Sequence, residues 1–226
     1  MSLIYLVRHG QASFGTEDYD RLSALGQRQS RWLGEYFGER GLRFSRVLCG
    51  TLARQRDTAT GILAAMGVDG EGIAPIVHPG FDEYHAGPIY TAFTKGRSPV
   101  EHQRADYKDY WQTFRNAMNH WSDVGLDDVP ETWAEFGARI HAGLAAAAQD
   151  TGRDDRILVV SSGGAICRAV ADILGAPPAT AIELNLQFRN SGICELIAGG
   201  GRFRLLSFNH VPHLERDGRG DAISAA

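Results

Sequence analysis

Residues 3–10 read Leu-Ile-Tyr-Leu-Val-Arg-His-Gly, and this stretch constrains the fold more than any other. Five strand-forming apolar residues run without a break. That pattern fits a short strand covered on both faces. The run stops on Arg8, His9 and the turn residue Gly10. In open α/β sheets the ligand crevice lies just beyond the carboxyl ends of the strands. An arginine and a histidine placed there can bind an anion and attack it. Guanidinium grips phosphate oxygens in a fork, and an imidazole nitrogen is a competent nucleophile. Taken alone, so short a pair reads more readily as the polar end of a core strand.

The chain has 226 residues, enough for one α/β domain, or one domain with an insertion, and for a large core. Its apolar fraction of 43% and charged fraction of 22% are those of an ordinary soluble globular protein. The net charge of −4 offers no broad basic field, so neither nucleic acid nor an acidic membrane is expected as a partner. No apolar run approaches membrane-spanning length. The first apolar run is too short for a secretion signal and has no basic segment before it. Cys49, Cys167 and Cys194 are odd in number, far apart and form no C-x-x-C pair. They read as reduced, buried thiols of a cytoplasmic protein.

Along the chain, apolar runs alternate with helical patterns. Ser23 is placed to cap a helix carrying Leu25, Trp32, Leu33, Tyr36 and Phe37, which Gly41 stops. Residues 44–49 predict a second strand, and Thr51 the cap of a helix through Met66. Arg54 then falls in that helix's first turn, where a cation is disfavoured. A bound anion would reverse the penalty, as would a partner such as Asp57. Residues 73–78 predict a third strand, and Glu83 follows it in a loop. A carboxyl group held near a phosphate can have its pKa raised and act as a general acid. Without such a neighbour, Glu83 is a solvated loop residue.

Composition shifts over about 89–128. Tyr107, Tyr110, Trp111, Phe114, Met118 and Trp121 make an aromatic stripe at helical spacing, which reads as packing. The stretch is expected to be a helical insertion. Thr132 and Glu135 form a capping box for a helix carrying Trp133, Phe136, Ile140 and Leu144. His102, His120 and His141 have no metal-ligand spacing and read as packing or surface residues. Residues 157–160 predict another buried strand. The turn Ser161, Ser162, Gly163, Gly164 follows and opens a helix through Leu174. Strand, Gly-rich turn and helix is a recipe for holding phosphate on backbone N–H groups. Residues 182–186 and 192–198 read as strands, and residues 202–208 as the return of an antiparallel hairpin at the sheet edge. Residues 215–226 read as a mobile tail. Arg8, His9, Arg54, Glu83 and the Ser162 turn thus all fall at strand ends or helix starts, which a doubly wound sheet would gather on one edge.

These residues carry a resemblance. Leu6, Val7, Arg8, His9, Gly10 and Gln11 resemble the signature of the histidine phosphatase superfamily, which includes the cofactor-dependent phosphoglycerate mutases. Leu22 to Gly26 resemble its next segment, and Thr51 to Arg54 with Thr58 and Ala59 the stretch that supplies its second phosphate arginine. Glu83, before Gly87, is similar in place to the family's proton donor. Glu131 to Arg139, Asn190 with Ser191, and Asn209 to Leu214 resemble its later landmarks, so the likeness spans essentially the whole chain. It implies a phosphoglycerate mutase-like fold: a three-layer α/β/α sandwich, mostly parallel with an antiparallel edge, and a helical insertion over the site. It also implies a phosphohistidine on His9, with Arg8 and Arg54 holding the phosphoryl group.

Two departures matter. The family's second active-site histidine falls at Ser162, and an asparagine common in its mutase branch falls at Gly15. Each change removes a donor that would face phosphate. The expected activity is a slow phosphatase acting on a small phosphomonoester. His9 is the nucleophile, Glu83 is acid then base, and Arg8, Arg54 and Ser162 bind phosphate. The alternative is a non-catalytic binder of phosphorylated ligands. A mutase fits less well, because returning a phosphoryl group to a sugar acid needs a tighter grip. No cofactor or metal is called for, since arginines can supply the charge neutralisation. Ser162→His is expected to raise activity, while His85 and His213, which could fill the vacancy, read as structural residues.

Overall fold

The computed structural model describes residues 1–13, 20–67 and 73–225. Gly15 lies outside them. Six strands, β1 (Ser2–Arg8), β2 (Arg46–Cys49), β3 (Ile76–Val77), β4 (Arg156–Ser161), β5 (Ile193–Gly199) and β6 (Arg202–His210), form one sheet in the order β3-β2-β4-β1-β5-β6. β4 pairs in parallel with β1 and β2, and β2 with β3, whereas β5 runs antiparallel to both β1 and β6. The sheet is mostly parallel with an antiparallel edge, as expected.

Alternation along β1 divides the core into two, because successive side chains leave opposite faces of a strand. Ile4 and Leu6 join Val159, Phe136, Ile140 and Ile166, the last three from α6 (Trp133–Ala148) and α7 (Gly163–Leu174). Tyr5 and Val7 join Leu33, Phe37 and Ile62 from α1 (Ala24–Glu39) and α2 (Ala53–Met66). Helices on both faces make three layers. Ser23 caps α1 by accepting the Gly26 N–H, and Thr132 and Glu135 cap α6 reciprocally. Cys49, Cys167 and Cys194 are buried free thiols, each pushed upward in pKa by burial.

Several expectations need correction. Thr51 does not cap α2; its N–H and hydroxyl both donate to the Asp82 carboxylate. The third strand is only two residues long, between Pro75 and Pro79, which lack the N–H a ladder needs. Residues 182–186 are not a strand but the end of α8 (Pro178–Leu186), which starts with Pro178 at its first position. Proline there is pre-set for a helix start, and Gly175 has already closed α7 in the left-handed conformation. Residues 215–225, expected as a loose tail, make anchoring contacts: Ala222 is buried and its carbonyl accepts from Gln29 Nε2 at 2.8 Å. The Ser224 carbonyl accepts the Asn190 N–H at 2.8 Å.

The insertion is helical: α3 (Ala86–Phe93), α4 (Pro99–Ala105) and α5 (Tyr107–Asp123). Within its aromatic stripe Tyr110, Met118 and Trp121 are buried, while Tyr107 is exposed. His102 is buried between the Tyr90 hydroxyl and Asp109, tying the three helices together as packing. Trp121 lies against Tyr84, with ring centroids 5.3 Å apart, and so backs the loop that carries Glu83.

Candidate active site

The carboxyl end of β1 lies between its two neighbours. His9 donates its N–H to Ser161 O at 2.9 Å and accepts the Ser191 N–H on its carbonyl at 3.2 Å. The turn beyond it is pressed against the start of α1. A Cβ on Gly10 would lie 2.5 Å from the Gly26 carbonyl oxygen, so only glycine lets the two backbones meet. Thr58 of α2 locks the same turn, accepting from the Gly10 N–H at 3.1 Å and donating to the Arg54 carbonyl at 2.7 Å.

The partners of His9 assign its tautomer. Nδ1 lies 2.7 Å from Gly10 O, which can only accept, so Nδ1 carries the proton. Nε2 lies 3.1 Å from Arg54 Nε, which can only donate, so Nε2 offers a lone pair. Burial, with the charges of Arg54 and Arg8, holds this imidazole well below the usual histidine range. A neutral, oriented imidazole is the form that can act as a nucleophile.

The two arginines are both buried. Arg8 leaves β1 on the α7 side and donates to Phe188 O. It passes over Gly163, where a Cβ would lie 3.4 Å from Arg8 Nε and 2.3 Å from Asn185 Oδ1. Arg54 sits in the first turn of α2, and the anion at that helix start is supplied by Asp20 rather than Asp57. One Asp20 oxygen lies 2.7 Å from Arg54 Nη1 and the other accepts the Ala53 N–H at 2.8 Å.

Glu83 is not a solvated loop residue. Its carboxylate accepts from Gly164 N at 2.9 Å and from Tyr84 N at 3.1 Å. The Gly164 N–H expected to hold phosphate is therefore taken by Glu83. Gly164 must be glycine for this, since a Cβ would lie 2.3 Å from Glu83 Oε1. Burial raises the Glu83 pKa against the opposing pull of the Gly164 N–H and the two arginines. Arg139 fixes the loop from behind: it donates to the carbonyls of Asp82 at 2.7 Å and Glu83 at 3.3 Å while pairing with Glu131.

Ser162 is fully buried at the cap of α7, and its Oγ lies 2.8 Å from Gln55 Nε2. The Gln55 amide therefore stands directly beside the Ser162 hydroxyl. His213 is also fully buried, but its Nε2 bonds Ser191 Oγ at 2.8 Å. His85 is exposed at the start of α3. The structure thus brings Arg8, His9, Arg54, Glu83 and Ser162 to one end of the sheet. It adds Asp20 and Gln55, which carry no pattern in the sequence, and Arg139, which falls in a stretch of the resemblance that assigns it no role. Among the described residues, no group of three or more His, Cys, Asp or Glu could hold a metal ion, and no helix is long and apolar enough to cross a membrane.

A three-layer α/β protein with a buried histidine, two arginines and a carboxylic acid at the ends of its central strands is one class of molecule. The family model for the histidine phosphatase superfamily (branch 1) matches residues 4–211, and the chain belongs to that superfamily. Solved structures share the fold. The native mycobacterial glucosyl-3-phosphoglycerate phosphatase is similar with a TM-score of 0.66 and 21% identity, over 92% of this chain and 98% of its own. A phosphoserine phosphatase from Entamoeba histolytica, in complex with 3-phosphoglyceric acid, has a TM-score of 0.66 and 21% identity, over 95% of this chain and 100% of its own. A structure titled mycobacterial hydrolase 2 has a TM-score of 0.68 and 21% identity, over 97% and 95%. No curated protein matches the chain.

Proposed function

We propose that this protein is a phosphatase for small phosphomonoesters that works through a phosphohistidine on His9. The observation that carries the reading is the state of His9: neutral, Nδ1 bound to Gly10 O, and Nε2 turned toward Arg54. Substrate phosphate enters between Arg8 and Arg54, whose guanidinium groups offer forked donors to its oxygens. Arg54 then turns its N–H groups to the anion and uncovers Nε2. Nε2 attacks phosphorus, the bond to the ester oxygen breaks, and Glu83 gives that oxygen its proton. In the second half Glu83, now a carboxylate, takes a proton from water as the water attacks the phosphohistidine. Inorganic phosphate leaves and His9 is restored.

Membership of the superfamily and the raised pKa of Glu83 both support this sequence of steps. A group that must hand over a proton near neutral pH needs such a shift. The similar structures are named for glucosyl-3-phosphoglycerate and phosphoserine, and these names favour a small phosphorylated substrate.

The test is a panel of phosphomonoesters assayed with purified protein, coupled to acid-quenched labelling from a 32P-labelled substrate. Turnover with an acid-labile label that disappears in His9→Ala is the expected result. Unchanged turnover by His9→Ala sinks the nucleophile assignment. Phosphate binding without turnover of any ester moves the protein to a non-catalytic binder.

A further inference from the structure

Gln55 has no part in the steps above, yet it is completely buried beside Ser162. Its amide is held at three points. Nε2 donates to Phe81 O at 2.9 Å and to Ser162 Oγ at 2.8 Å, and Oε1 accepts the Leu52 N–H at 3.4 Å. The Phe81 carbonyl can only accept and the Leu52 N–H can only donate, so these partners decide which end of the amide is which. Space is reserved for it as well: a Cβ on Gly50 would lie 2.0 Å from Gln55 Oε1.

The direction of the Gln55–Ser162 bond decides what the serine can do. An amide Nε2 only donates, so Ser162 Oγ must accept, and its own proton needs an acceptor elsewhere. The Phe81 carbonyl that Gln55 also binds is not that acceptor. It already takes Gln55 Nε2 at 2.9 Å and Ser161 Oγ at 2.6 Å, which uses both its lone pairs. Ser162 follows directly on Ser161, which stands opposite Arg8 in the β1–β4 pairing and accepts the His9 N–H. On its other side is Gly163, over which the Arg8 guanidinium passes.

We infer that Gln55 is a positioning residue: by filling the acceptor side of Ser162, it turns the Ser162 hydroxyl proton toward an oxygen of the phosphoryl group attacked by His9. This rests on the reading of the site proposed above. The pair works as one donor, built from two uncharged residues. It also means that the two positions have to change together.

The experiment measures inorganic phosphate affinity by calorimetry, which needs no turnover. Wild type, Gln55→Leu, Ser162→Ala and the double variant are compared, with circular dichroism to check folding. Each single variant is expected to bind phosphate about tenfold or more weakly, the usual loss for a hydrogen bond to a charged group. The double variant should be no weaker than Ser162→Ala alone. Gln55→Glu adds a second readout. Its ionised carboxylate cannot donate to Ser162, so its affinity relative to wild type should fall as pH rises and recover as pH falls. Finally, Ser162→His should bind phosphate worse than Ser162→His with Gln55→Ala, because only the pair makes room for the ring. Losses from Gln55→Leu and Ser162→Ala that multiply in the double variant would overturn the inference while leaving the proposed function intact. So would a folded Gln55→Leu with wild-type affinity. Wild-type protein that binds no phosphate at all would overturn both. If Gln55→Leu does not fold, Gln55→Glu and the histidine pair decide.

Discussion

Arg54 Nε lies 3.1 Å from His9 Nε2, and the hydrogen bond between them covers the one lone pair on the imidazole. The same residue that would hold the substrate therefore guards the nucleophile in its absence. Arg54→Ala should expose Nε2 and still lose on the order of 10²–10³ in kcat, because transition-state charge goes unmatched. Arg54→Lys should recover only part of this, since lysine lacks the fork that reaches phosphate, His9 and Asp20 together. Steady-state kinetics on one phosphomonoester checks both. Full activity in the lysine variant would show that a point charge suffices.

Glu83 predicts a pH profile. Its pKa is raised by burial and that of His9 is lowered by burial, and both shifts favour the working form, protonated Glu83 with neutral His9. kcat/KM should fall on the alkaline side as Glu83 ionises and on the acid side as His9 gains a proton. Glu83→Gln should abolish the alkaline limb that belongs to Glu83. It should slow alkyl phosphates far more than aryl phosphates, which leave without a proton. An equal loss on both substrate classes would point to a structural role.

Glu83 also has a cost in stability. A carboxyl group with a folded pKa above its unfolded one stabilises below the unfolded value, and the contribution is lost as pH rises through the folded value. Glu83→Gln should therefore melt higher than wild type near neutral pH. Differential scanning calorimetry at neutral and mildly acidic pH tests the sign, and the gain should shrink in acid.

Arg139 joins four groups: the carbonyls of Pro79, Asp82 and Glu83 and the carboxylate of Glu131. Its side chain and that of Glu131 are 25% and 15% exposed, so water offsets part of the loss when one partner goes. Arg139→Met should cost about 2–3 kcal/mol of stability, below the range for a fully buried pair. It should lower kcat more than it raises KM, because what slackens is the loop that carries the acid. Urea unfolding and steady-state kinetics measure the two effects, and a large KM change with kcat intact would contradict this.

His213 predicts acid sensitivity. Burial pushes its pKa down to about 3, so the folded protein holds it neutral while the unfolded chain protonates near 6.5. Stability from this residue is present above about pH 6.5 and drains by about 1.4 kcal/mol per pH unit as pH falls toward the folded value. His213→Gln should flatten the decline of unfolding free energy between pH 6 and 4, by roughly the loss of one proton taken up. The residue lies against Ser191, whose N–H holds the His9 carbonyl, so the same acidification should loosen the nucleophile's turn.

Much of this arrangement is legible in the chain. The five apolar residues before Arg8 demand a covered strand, and polar residues at such a strand's end sit where ligands bind. Arg54 announces itself as a cation at the wrong end of a helix. Residues 182–186 mislead because a short apolar run fits a strand or a buried helix equally, and only Pro178 at the helix start separates them. Asp20 and Gln55 are silent for another reason. Their partners, Arg54 and Ser162, lie 34 and 107 positions away, and no local pattern encodes a contact at that separation. The Gly163 and Gly164 turn is visible, but its purpose is not: it admits Arg8 and Glu83 side chains rather than only a ligand.

The central place of β1 has a consequence for how the chain is made. Leu3 stands opposite Arg156 of β4, and Val7 opposite Ile193 of β5. Both partners of the nucleophile's strand are thus synthesised more than 150 residues after it. At about 5–20 residues per second, that is roughly 8–30 s during which an apolar strand has neither neighbour. Pairings so remote in sequence form late and slowly once the chain is free. The segment carrying His9 therefore leaves the ribosome long before either neighbour and is among the last to be secured, and it is where a chaperone has most to shield.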